Sequence, residues 1–221
     1  MSDLRFPTPV QAIDATDVID ADHPRIRQVA EQVGGVGDPG DVTGRLFSWV
    51  RDEIAFDMAP VISERRDWTA SRTLERGGGF CQQKAVLLAA LLRARGIPSI
   101  LSFQDLLDHK IPPHYVEYIG SQRMEVHGLA GAHIDGAWQR LDPSLDRKLC
   151  ERKGYKVVEY APGRDCLLPA TDLRGEPHFE VLEEFGVHAD VPQSIIDATL
   201  ALDWLHDPTY QQMAAKHGPD A

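Results

Sequence analysis

One stretch limits this chain more than any other. It reads Gly77-Gly78-Gly79-Phe80-Cys81-Gln82-Gln83-Lys84, and then every residue from Ala85 to Leu92 is apolar. A helix that is apolar all round is stable in water only when other elements surround it. Arg93 and Arg95 suit the negative end of a helix dipole, Gly96 suits the position just past the end, and Pro98 forbids continuation. The pattern predicts a buried helix from Cys81 to Arg95 with the cysteine in its first turn. Free backbone N–H groups and the dipole favour an anion there, so the thiol pKa is expected to fall. The glycines ahead of it permit a sharp turn and leave room for a substrate. A cysteine kept only for packing would sit more naturally inside the apolar run. Cys81 therefore reads as a nucleophile, and Cys150 and Cys166 have no comparable setting.

The rest of the chain can supply the surround. Its 221 residues fit a single domain, and 43% apolar content is enough for a core. A net charge of −11 argues against nucleic acid or an anionic membrane as the main partner. No apolar run approaches the roughly 18 residues of a membrane span, and no signal-peptide pattern opens the sequence. Three cysteines, an odd and low number, point to reduced thiols and a cytoplasmic setting.

Residues 1–22 read as an extended N-terminal arm. A first helix is expected from Asp22-His23-Pro24 to about Gly34-Gly35, with Asp22 as cap. A second opens at Asp38-Pro39 and carries an apolar stripe of Val42, Leu46, Phe47, Val50 and Ile54, with Arg51 and Asp52 off it. Residues 145–221 read as a C-terminal extension that caps the core. Within it a strand is expected at Tyr155–Tyr160, a helix from Pro192 to Leu205, and a fraying end over 207–221.

A thiolate needs a base, and the base needs a residue to orient it. The segment Met124 to Asp142 contains Asp135-Gly136, a strong two-residue hairpin turn. That turn pairs Ile134 with Ala137, His133 with Trp138 and Leu129 with Asp142. His127 and Asp142 then share a sheet face as diagonal neighbours, about 7–8 Å apart at the backbone. His133 lies about 13 Å further along at roughly 3.3 Å per residue, so His127 is the better partner. A bulge at Gly128 or Gly131 would break this register. Cys81, His127 and Asp142 are the candidate triad.

The second oxyanion donor, beside the Cys81 backbone N–H, is left open among Gln82, Gln83 and Trp68. Both glutamines also suit a solvated helix start. His114 reads as a loop residue and Trp138 as hairpin packing. No His-x-x-x-His or Cys-x-x-Cys spacing supports a metal, and Gly77-Gly78-Gly79 is no phosphate loop, so no cofactor is expected.

Gly79-Phe80-Cys81, Lys84-Ala85, Leu91 to Pro98, Val126-His127, Asp135-Gly136, Trp138, Leu141 and Asp142-Pro143 together resemble the transglutaminase-like superfamily, including its bacterial cysteine-protease-like members. Trp49 to Ile54 and Thr69 to Leu74 resemble the lead-in to that motif. The likeness covers roughly residues 20 to 145. It implies a papain-like, transglutaminase-like α+β fold, with the cysteine helix packed on an antiparallel sheet. It implies Cys81 as nucleophile, His127 as base and then acid, and Asp142 as the residue that holds the imidazole. It also implies that Asp105 and His109 line the cleft. One departure is Gly128-Leu129-Ala130-Gly131, small where the family often carries an aromatic, acidic stretch; it is expected to open that side of the pocket.

Three readings of function follow. The first is a Cys–His–Asp enzyme passing through a thioester acyl-enzyme and hydrolysing an amide, on a peptide or a small amide- or thioester-bearing substrate. The second is an amide-forming acyltransferase in small-molecule biosynthesis. The third is a non-catalytic binding module on the same fold.

Overall fold

The computed structural model describes residues 4–60 and 62–217. In chain order the elements are α1 (Pro24–Gly34), α2 (Pro39–Glu53), β1 (Ala55–Phe56), α3 (Ala70–Arg76), β2 (Gly78–Gly79), α4 (Cys81–Ala94), β3 (Ser99–Asp108), α5 (Pro113–Ile119), β4 (Arg123–Ile134), β5 (Ala137–Leu141), α6 (Arg147–Lys153), β6 (Phe179–His188), α7 (Gln193–Leu200), α8 (Asp203–His206) and α9 (Pro208–His217). β1 and β2 form a short parallel pair, and the main sheet is antiparallel in the order β5-β4-β3-β6. The architecture is α+β: α4 packs on β3 and β4 and is flanked by α1, α2 and α3.

The helices begin and end where local chemistry dictates. The first cap is His23 rather than Asp22: its ring accepts the Arg25 N–H, and Pro24 follows at the first helical position. Asp38 caps α2 through the Asp41 N–H at 2.9 Å. Gly77, at φ +67°, closes α3 in the left-handed conformation that glycine adopts without strain. α4 is buried from Cys81 through Arg93, as its composition requires. Arg93 spends its guanidinium on the carbonyls of Asp14, Ser99 and Ala189, tying the N-terminal arm and the end of β6 to the helix.

The hairpin has the expected register: Ile134 faces Ala137, His133 faces Trp138 and Ala130 faces Leu141. Asp135 and Gly136 both have positive φ, the signature of a type I′ turn. No shift occurs at Gly128 or Gly131. The irregularity lies across the β3–β4 pair instead, where Gln104 faces His127 but Leu106 faces Met124. β4 therefore carries one extra residue opposite Asp105, and Val126 sits there at φ +55°.

Several expectations are corrected. Arg51, read as lying off the apolar stripe, is nonetheless buried: its guanidinium binds the Val158 carbonyl, Asp52 and Glu159. Residues 155–160 belong to no strand. Phe179–His188 forms an edge strand that the sequence reading did not anticipate. His114 lies in α5 rather than in a loop. The expected 192–205 helix is broken at Ala201–Leu202 into α7 and α8. Val18 and Ile19, assigned to the arm, are buried in the core. Of the expected fraying end, 208–217 is helical, and 218–221 lie outside the described residues.

Candidate active site

Cys81 is the first residue of α4, so its N–H has no acceptor within the helix. The turn before it is pinned by Gln83, whose Oε1 accepts the Phe80 N–H and whose Nε2 donates to the Asp67 carbonyl. His127, on β4, and Asp142, just past β5, meet at 2.7 Å between Nε2 and Oδ2. The Cys81 sulfur acts on the same imidazole by charge and by hydrogen bonding. Since Nε2 is taken by Asp142, Nδ1 is the nitrogen turned to sulfur. The three candidate triad residues are thus brought together in one buried row.

Burial alone would lower the His127 pKa. The charges of Asp142 and Cys81, with the hydrogen bonds to both, overcome it and hold the imidazole well above its ordinary value. Burial likewise pushes Asp142 up, but His127 and the Ser144 hydroxyl and N–H outweigh it, and the carboxyl is held below its usual range. The Asp142 N–H is bonded to the Cys166 carbonyl at 2.9 Å. The turn that follows is held by a residue the sequence reading passed over. Lys84 is fully buried and donates to the carbonyls of Arg51 and Ser144 at 3.1 and 2.9 Å.

The other candidate residues stand elsewhere. Gln82 is buried, not solvated: its Oε1 accepts the Trp68 indole N–H at 2.7 Å, and its Nε2 donates to the Val126 carbonyl and the Thr199 hydroxyl. Trp68 and Gln82 are therefore committed to each other and to β4, and neither points a spare N–H at the sulfur. Asp105 is also buried. Its Oδ1 accepts the Val126 N–H at 2.7 Å, and Arg123 holds its other oxygen. Val126, a β-branched residue in a left-handed conformation, is thus gripped at both ends of its peptide unit. His127 is the next residue, and the bulge aims its ring at Cys81. His109 faces Glu180 at 3.6 Å on a half-exposed surface and is absent from the cleft wall. Gly128 does not widen the pocket: a Cβ there would lie 2.9 Å from the Gln82 Cα, so glycine is what lets β4 lie close on α4.

Beside His127 opens a cleft walled mainly by apolar side chains. Phe56, Met58, Ile111, Tyr115 and Leu149 in its wall also belong to the apolar cluster that buries Cys81 to 1% exposure. All three cysteines are free thiols, and burial pushes Cys150 up to about 11. Among the described residues no three His, Cys, Asp or Glu side chains gather as a metal site, and no helix is long and apolar enough to cross a membrane.

Comparison with known proteins adds the family. Residues 27–143, more than half of the chain, match the model of the transglutaminase-like superfamily. No curated protein sequence matches. A solved structure of a putative cysteine protease from Cytophaga hutchinsonii superposes with a TM-score of 0.54 at 17% identity, over 90% of this chain and 51% of that one. The periplasmic domain of TgpA from Pseudomonas aeruginosa aligns at 21% identity and a TM-score of 0.40, over 54% of this chain and 42% of that one. This chain thus spans about half, or less, of the solved chains it matches. The family match runs from α1 through the turn after β5 and contains Cys81, His127 and Asp142, and the chain belongs to the transglutaminase-like superfamily.

Proposed function

We propose that the protein is a cysteine-dependent acyl-transfer enzyme that hydrolyses an amide through a thioester on Cys81. The observation that carries this reading is the buried group Cys81, His127 and Asp142, with Nε2 at 2.7 Å from the carboxylate and the Cys81 sulfur acting on the same imidazole. The raised His127 pKa favours imidazolium, the form that donates a proton to the leaving group. Sγ attacks the acyl carbonyl and a C–S bond forms. The Cys81 N–H, at the positive end of α4, receives the oxyanion. The bond to the leaving amine breaks as His127 gives it the Nδ1 proton. Water, deprotonated by the now neutral imidazole, then attacks the thioester, and Cys81 departs with the charge it began with. Asp142 keeps Nε2–H oriented throughout and stabilises the imidazolium. The fold shared with the cysteine protease relative supports the same class of chemistry. An amine in place of water would turn the same residues to amide formation. With free thiols, the protein is assigned to a reducing cytoplasm, acting on a peptide or small-molecule amide or thioester, with no nucleic acid, membrane or cofactor required.

Intact-mass spectrometry after incubation with peptide amides, thioesters and aryl esters tests this. The native chain should gain the mass of the acyl group, and Cys81→Ala should not. Acylation that persists in Cys81→Ala, or fails with every donor, would sink the reading.

A further inference from the structure

The cleft beside His127 reaches well beyond the reacting groups. Gln104 of β3 faces His127, and Asp108, four residues further along the strand, also lies in the wall. At about 3.3 Å per strand residue the cleft runs roughly 13 Å from the imidazole. The wall includes Leu106, Met124, Tyr115, Leu149, Leu168 and Phe179, with Lys153 and Tyr155 among its polar members. Several of its polar groups are already engaged. Lys110 Nζ is paired with Asp172 and Glu176 at 2.9 and 2.8 Å, Asp108 Oδ1 accepts the Lys110 N–H, and the Ser144 hydroxyl is bonded to Asp142. Along the apolar stretch of the wall a polar group would lose water without gaining partners, whereas an apolar one loses nothing.

Resting on the acyl-transfer reading, we propose that this cleft is a specificity subsite for an extended apolar group, a medium-length alkyl chain or an aryl system, attached directly beside the bond that is cleaved. Both the acyl part and the leaving part of a substrate are next to His127 during the reaction, and either one can carry the group. The cleft makes the enzyme selective for hydrophobic substrates and indifferent to small polar ones.

Two series of thioesters test this by thiol release. In one, acyl chains from acetyl to decanoyl are carried on N-acetylcysteamine; in the other, acetyl is carried on alkyl thiols of the same lengths. Each buried CH₂ should raise kcat/KM by about three- to fourfold until the cleft is filled. The series that climbs identifies the part the cleft receives. Met124→Trp should move the optimum to shorter chains. Profiles flat in both series, with Cys81 still acylated by acetyl donors, overturn the subsite and leave acyl transfer standing. No acylation by any member overturns the acyl-transfer reading and the subsite with it.

Discussion

The charge of Asp142 decides which form of His127 prevails. The raised pKa of His127 means that its protonated form adds stability present in full below the unfolded value of about 6.5, and lost as pH rises through the folded value. The lowered pKa of Asp142 adds stability present above about 3.8 and lost as pH falls through its folded value. Asp142→Asn keeps the shape and removes the charge. The alkaline limb of kcat/KM should then move to lower pH, and the rate should fall about tenfold or more. A limb that stays in place would show that another group holds the proton.

Asp105 acts one step further out, through backbone. Asp105→Ala leaves the buried Val126 N–H without an acceptor, a cost of about 1–3 kcal/mol. It also frees Val126 from a conformation that a β-branched residue rarely adopts. The expected result is a fall in kcat with little change in KM, partly restored by Asp105→Asn, which keeps a carbonyl acceptor. Equal loss in both substitutions, seen only as lower stability, would reduce Asp105 to a packing role. His127 and Asp142 were legible in the sequence because a two-residue turn and a period of two fix their face. Asp105 and Gln82 were not, because each bonds the backbone of Val126, and nothing in the side-chain pattern announces a bulge there.

At the scale of elements, legibility followed how much of each element's surroundings lay within itself. α4 announces its burial and both its ends. β6 does not: Glu180, Glu183 and Glu184 interrupt its apolar residues because it is an edge strand with little to bury. The 155–160 segment misled for a different reason: a side chain, Arg51, takes up its Val158 carbonyl in place of a strand partner. The α4–β4 contact shows how tightly the elements seat the site. Gly128→Ala would push a methyl onto the Gln82 backbone at 2.9 Å, where no flexible side-chain end can yield. Forcing β4 off α4 should cost about 1–3 kcal/mol, read as a lower urea midpoint with unchanged slope. It should also slow Cys81 alkylation or acylation, because the same shift moves His127 from the sulfur. An alanine variant with native stability would mean that the two elements have slack.

Across the whole molecule, Lys84 joins what the sequence keeps apart. One ammonium at the start of α4 binds the Arg51 carbonyl in α2 and the Ser144 carbonyl in the turn that presents Asp142. The sequence reading began the buried run at Ala85, because a lysine beside two glutamines looks like the solvated start of a helix, and its two acceptors lie 33 and 60 residues away. Burial lowers its pKa to about 7, against the raising charges of Asp146, Asp142 and Asp52. In the unfolded chain it titrates near 10.5, so between about pH 7 and 10.5 the unfolded state binds more protons than the folded one. Stability from this site therefore rises with pH across that window, by at most about 1.4 kcal/mol per pH unit. His127 pulls the opposite way, and the total curve mixes the two. The contribution is isolated by comparing the native chain with Lys84→Met, which keeps the buried length and cannot titrate. Urea unfolding of both at pH 7, 8.5 and 10 should show the native chain gaining on the variant at each step. A constant difference would place the lysine's charge in water in the folded state, and the tie between α2, α4 and the Asp142 turn would then rest on packing alone.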